Sequence, residues 1–160
     1  MFALVFCALT CSWAQKNQPL RADFASPVRH PALLSKAEGL TLVAAARDRH
    51  LRRGAGTDCS HLVHSIYEHA GFSYPYADSS DLYRGSASFV RVKHPQPGDL
   101  VVWRGHVGII VDPERHTFFS ALSHGPGSDR YDARYWKKRG PARFFRYIEA
   151  EPSSAVLQPE

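Results

Sequence analysis

Apolar residues follow three different patterns along the chain. Residues 1–14, MFALVFCALTCSWA, form a run without a charged side chain. Helical spacing takes over further on. The stretch from Leu33 to Leu51 holds Leu40, Leu42, Val43, Ala44, Ala45 and Ala46, and predicts a first helix. In a second stretch Leu62, Val63, Ile66, Tyr67 and Ala70 share one face. Asp58 is a suitable N-cap for that helix, and Gly71 sits where a terminating glycine belongs. Beyond Gly71 the period shortens. Phe72 to Gly85 is aromatic and polar, with a short helix expected at Ser79 to Tyr83. Strand-like runs follow at Phe89–Val92, Asp99–Trp103, His106–Val111, Thr117–Leu122 and Ala142–Ile148. Pro97-Gly98, Arg104-Gly105, Asp112-Pro113 and Gly125-Pro126-Gly127 separate them as turns. Helices first and antiparallel strands afterwards predict an α+β fold, with N-terminal helices packed on a small sheet.

The flanks read differently. Residues 1–14 end in Ser12 and Ala14 and resemble a secretory signal cut after Ala14, although no Lys or Arg precedes the apolar run. The run is too short for an ordinary transmembrane helix. Thr10 is large for the position before the cysteine of a lipoprotein cleavage box. Residues 15–31 are polar, carry Pro19, Pro27 and Pro31, and read as a linker; residues 150–160 read as a disordered tail. The folded domain is therefore expected at 32–149, in a protein exported to the periplasm, cell envelope or exterior.

With 160 residues there is room for one domain, which at this size buries about two-thirds of the surface its unfolded chain exposes. Three cysteines are too few for a disulfide scaffold or a four-cysteine zinc ribbon. Export would remove Cys7 and Cys11 and leave Cys59 as the mature chain's lone thiol, either buried and inert or reactive. The net charge of +5 favours an anionic partner without saying which.

Three residues carry candidate chemistry. Cys59 falls in the first turn of the second helix, where unpaired N–H groups and a partial positive charge suit a nucleophile and a developing oxyanion. It is also in register with Leu62, Val63 and Ile66, so a core role competes. His106 opens a strand after a tight turn and has the right chemistry for the base that a cysteine nucleophile needs. Folding the next strand back brings Ser120 near His106 as the group that orients it; His124 shares the strand parity and is the alternative. His61, His64 and His69 have helical spacing, but without a His-Glu-x-x-His pattern they read as a solvated face rather than a metal site. Tyr131, Tyr135 and Trp136 beside Lys137-Lys138-Arg139 read as a surface loop that packs its aromatic rings on the sheet.

Three segments together, Thr57-Asp58-Cys59-Ser60, Pro97-Gly98-Asp99-Leu100-Val101 and His106-Val107-Gly108-Ile109, resemble the NlpC-type cell-wall cysteine peptidases. The resemblance spans about Leu33 to Tyr147 and implies a papain-like α+β fold. It also implies hydrolysis of peptide bonds in the peptidoglycan stem, typically from D-glutamate to a diamino acid. By position it makes Cys59 the nucleophile, His106 the general base and Ser120 the third member. Asp58 and Ser60 match residues that hold the substrate's free amine. The chain departs from the family pattern at His61, where glycine is usual, at Ser120, where His, Asn or Gln is common, and in lacking a tyrosine between Arg47 and Thr57. Such an enzyme is expected to need no cofactor or metal and to act as a monomer on a cell-wall peptide. An amidase or acyltransferase would use the same pair of residues. A non-catalytic wall-binding module is the competing class, for which Cys59 would be buried; a nucleic-acid binder finds no supporting motif.

Overall fold

The structure, a computed structural model, describes residues 32–48 and 58–149. The signal-like segment, the linker, the loop at 52–57 and the tail lie outside those residues, as do Cys7 and Cys11. Helix α1 (Lys36–Ala46) starts later than the Leu33 expected from its apolar pattern. Ser35 caps it reciprocally: the Glu38 N–H donates to Ser35 Oγ at 3.3 Å and the Ser35 N–H to Glu38 Oε2 at 2.7 Å. Leu33 and Leu34 instead join the sheet, through a bridge to Ile148 and a bond from the Leu34 N–H to the Tyr147 carbonyl. Helix α2 (Cys59–His69) begins after Asp58 as expected. It ends in Gly71, whose φ of 89° is the left-handed conformation that glycine tolerates best. Helix α3 (Ser79–Arg84) is capped by Asp78, which accepts from the N–H groups of Ser80 and Asp81.

The strands are β1 (Phe89–Val92), β2 (Leu100–Trp103), β3 (His106–Asp112), β4 (Thr117–Leu122), β5 (Gly125–Arg130) and β6 (Arg143–Tyr147). They form one sheet of order β1-β6-β2-β3-β4-β5, antiparallel throughout. Helix α4 (Arg134–Lys138) lies between the last two strands in sequence. Two of these elements differ from expectation. The Gly125-Pro126-Gly127 segment is an edge strand rather than a turn; it pairs with β4 from Leu122↔Gly125 to Thr117↔Arg130. Proline is compatible with an edge strand, and GPGSDR offers no apolar alternation to signal one. The Tyr131–Arg139 segment contains a short helix: Trp136 is buried against the sheet as predicted, whereas Tyr135 remains 61% exposed.

Helices α1 and α2 cover one face of the sheet. Leu62, Ile66 and Tyr67 pack there against Leu100, Val102, Val107 and Ile109. A smaller cluster on the opposite face joins Val101, Trp103, Ile110, Phe118 and Trp136. Coverage on both faces explains why β2 and most of β3 are continuously buried instead of alternating. The Pro97-Gly98-Asp99 segment locks the layers together. A side chain on Gly98 would lie 2.4 Å from Gly39 Cα, so only glycine permits this approach of α1. Tyr67 of α2 donates its hydroxyl to the Gly98 carbonyl at 2.6 Å. Asp99 is wholly buried, and Arg146 of β6 donates to both its carboxylate oxygens at 3.0 and 2.9 Å. Burial pushes the Asp99 carboxyl up despite those bonds.

Candidate active site

The N-terminus of α2, the start of β3 and the end of β4 meet at one end of the sheet. Cys59, His106, His124, Trp136 and Arg139 line a cleft of about 520 Å³ there, with Asp58, Asp129 and Tyr135 at its walls. Cys59 is half-buried: its inner side packs against the core, and it also borders the cleft. A cysteine enclosed in the core is thus not what the fold provides.

The first turn of α2 is already partly occupied. Asp58 Oδ1 accepts from the Ser60 N–H at 2.7 Å and the His61 N–H at 3.1 Å. Its other oxygen pairs with the His61 imidazole. Burial works to raise the Asp58 carboxyl, but the bonds from His61 and Ser60 prevail and lower it. Among the described residues this leaves the Cys59 N–H as the first-turn donor that the cap does not engage.

His106 is held from several directions. Ser120, fully buried, donates its hydroxyl to the Val107 carbonyl at 2.6 Å. Its oxygen lies 3.0 Å from His106 Nε2. With its only proton committed to Val107, Ser120 must accept from the imidazole. Nε2 therefore carries the hydrogen in neutral His106, and Nδ1 is the nitrogen left to take up a proton. The strand register accounts for the contact: Ile109 pairs with Phe119, which sets Ser120 opposite Gly108, on the face that His106 also shares. His124 borders the same cleft, whereas the bond to the imidazole comes from Ser120.

The rest of the imidazole is enclosed by aromatic rings. Trp136 lies against it at 4.7 Å between centroids and 35° between planes, and Phe118 meets it edge-on. Gly108 makes room for Phe118, since a side chain at Gly108 would come within 2.4 Å of that ring. The Trp136 indole N–H donates to Asp129 Oδ2 at 2.7 Å, which fixes the ring from its far side. Burial, and then the charge of Arg139, push the His106 imidazole down to about 4. It is neutral at pH 7 and able to accept a proton.

On the opposite flank of Cys59, Tyr76 provides a phenol that the sequence reading did not foresee. Its hydroxyl is 3.2 Å from His61 Nδ1, and its ring lies tilted at 4.5 Å from the same imidazole. A tyrosine thus stands beside Asp58 and Ser60 although none precedes them within 47–57. The helix histidines separate into different environments. His61 faces solvent, but His64 is largely covered and meets Tyr74 edge-on, in contrast to the expected solvated face. Among the described residues no group of three or more His, Cys, Asp or Glu is arranged to hold a metal ion.

The sequence profile of the NlpC/P60 family matches residues 46–142, more than half the chain. Among curated proteins none matches it. Among solved structures the fold is similar to that of a protein described as similar to lipoprotein, NLP/P60 family, from Staphylococcus aureus. The two are 21% identical with a TM-score of 0.54, over 76% of this chain and 44% of that one. The chain thus spans less than half the length of that structural relative.

Proposed function

The chain belongs to the NlpC/P60 family, whose members are generally cell-wall cysteine peptidases, and on that premise we propose that it is a secreted endopeptidase of the peptidoglycan stem. The bond we assign is the one from D-glutamate to the diamino acid. The observation that carries this reading is the shared cleft of Cys59 and His106, with the imidazole's Nε2 tied to Ser120 and Nδ1 left to act.

In this reading His106 Nδ1 takes the Cys59 thiol proton, and the thiolate sulfur bonds to the scissile carbonyl carbon. The Cys59 N–H is a donor for the resulting oxyanion. The carbon–nitrogen bond then breaks, the leaving amine takes the proton from His106, and an acyl thioester remains. Water gives a proton to His106 and attacks the thioester; the acid product departs, and the proton returns to the sulfur. Ser120 is the positioning residue that keeps the imidazole in one tautomer. Asp58 and Ser60 are assigned to the substrate's amine, with Tyr76 beside them in the role of the missing upstream tyrosine.

The half-buried position of Cys59 on the cleft supports catalysis over a wall-binding module, which has no use for an accessible thiol beside a fixed imidazole. Export and an envelope location belong to the same proposal; among the described residues no helix is long and apolar enough to cross a membrane. The test is digestion of purified peptidoglycan by wild type and Cys59→Ala, read by mass spectrometry. New amino termini at the diamino acid with wild type alone are expected. Release of intact stem peptides from the sugar would reassign the enzyme as an amidase, and equal, negligible release by both proteins would overturn the peptidase assignment.

A further inference from the structure

Arg139 brings a positive charge to the cleft that holds Cys59 and His106. Its guanidinium lies over the rings of Tyr135 at 5.7 Å and Trp136 at 5.5 Å, so the helix α4 aromatics set its place. Among the described residues no carboxylate forms an ion pair with it. Two acids border the same cleft: Asp129 is engaged by the Trp136 indole N–H and the Arg130 backbone N–H, and Asp58 by the Ser60 and His61 N–H groups and the His61 imidazole. A planar cation resting on aromatic rings, without an acidic partner and open to a cleft, is suited to bind a carboxylate brought by the ligand.

The position has a second consequence. The titratable groups bordering the cleft with His106 are Cys59 and Asp58 at the start of α2, His124 in the β4–β5 turn, Asp129 on β5, Tyr135 on α4 and Arg139 after it. Of these, Arg139 is the one whose charge weakens His106 as a base. A ligand carboxylate paired with Arg139 offsets that charge.

We propose that Arg139 is the carboxylate-recognition residue of this cleft, and that it selects peptides with a free carboxylate next to the scissile bond over their amidated forms. The inference rests on the peptidase reading above and adds a specificity to it. An amidated peptide of the same sequence binds less well.

The test uses two reagents of nearly equal size, iodoacetate and iodoacetamide, on the full chain. Labelling of the Cys59-containing peptide is followed by mass spectrometry in wild type, Arg139→Gln and Arg139→Lys. In wild type iodoacetate is expected to react faster, relative to iodoacetamide, than it does with a free thiol. Arg139→Gln should lower that ratio by about 10-fold, and Arg139→Lys should retain part of it. An unfolded fraction would react at the free-thiol ratio, so the ratio is read only after circular dichroism shows each variant folded as wild type. A matched pair of stem peptides, carboxylate free or amidated, should show the same loss of preference in kcat/KM. Reaction with both reagents at a ratio unchanged by Arg139→Gln would overturn this inference and leave the peptidase reading intact. A Cys59 inert to both reagents in the folded protein would overturn the two together.

Discussion

The two faces of the sheet both bury aromatic rings, but for different ends. On the helical face, Leu62, Val63, Ile66, Val107 and Ile109 are fully enclosed, and the buried Tyr67 ring packs among Tyr74, Phe89 and Tyr147. On the other face Trp103, Phe118 and Trp136 surround a histidine, and a short helix supplies much of the cover. The first arrangement gains stability from area removed from water. The second spends buried volume on orienting one imidazole and on weakening its charged form. Cys59 comes from the first face and His106 from the second, and they share a cleft where the sheet ends. Fold stability and site chemistry should therefore be separable by mutation.

The largest expected effect falls on chemistry. Cys59→Ala should abolish peptide release, and His106→Ala should lower kcat/KM by about 10²- to 10⁴-fold, the range lost with a general base. Both variants should keep the wild-type circular dichroism spectrum. A large loss of structure in either would mean that the two faces are not independent.

Gly98→Ala probes the opposite side of the comparison. The residue has φ near 88° and its Cβ would overlap the α1 backbone at Gly39, so unfolding free energy should fall by about 3 kcal/mol. Urea titration measures this. The fraction still folded should alkylate at Cys59 as wild type does; altered reactivity there would place the site under the control of the helical layers.

Ser120→Ala should cost less, about 10- to 100-fold in kcat, because the imidazole loses the partner that fixes its tautomer while the base remains. Ser120→Thr, which keeps the hydroxyl, should recover part of the rate. An unchanged rate in Ser120→Ala would show that the aromatic enclosure alone positions His106.

The last effect is on stability, and it is absent at neutral pH and appears only as pH falls. The folded pKa of His106, about 4, lies below its ordinary 6.5. The unfolded chain therefore binds the proton first, and the cost is absent above pH 6.5. It grows as pH drops from 6.5 towards 4, to about 3 kcal/mol at most. His106→Gln should flatten that part of the stability–pH curve measured by urea unfolding; an unchanged slope would mean that the enclosure does not disfavour the imidazolium.

Regular periodicity made the first face legible in the sequence. The apolar side of α2, its Asp58 cap and its Gly71 terminus all follow local rules, and β1 to β4 and β6 carried enough apolar residues to be located. The neighbourhood of Ser120 and His106 followed from hairpin geometry. The second face gave weaker signals. Strand β5 lacks alternation, and helix α4 has barely more than one turn, so neither has a period to detect. Trp136 was expected to pack on the sheet, but nothing local indicates that it lands on His106 or that Arg139 reaches the cleft. Tyr76 likewise depends on the path of an irregular segment. These residues meet through tertiary packing, and spacing along the chain does not encode it.

The central claim is that a fixed imidazole serves Cys59 as its base. It is tested most directly by the rate of Cys59 alkylation with iodoacetamide between pH 5 and 9 in wild type and His106→Ala. The account predicts that wild type is labelled well below the free-thiol pKa of about 8.5 and that His106→Ala is slowed at least 10-fold there. Identical profiles that rise only near pH 8.5, or labelling only after denaturation, would contradict it.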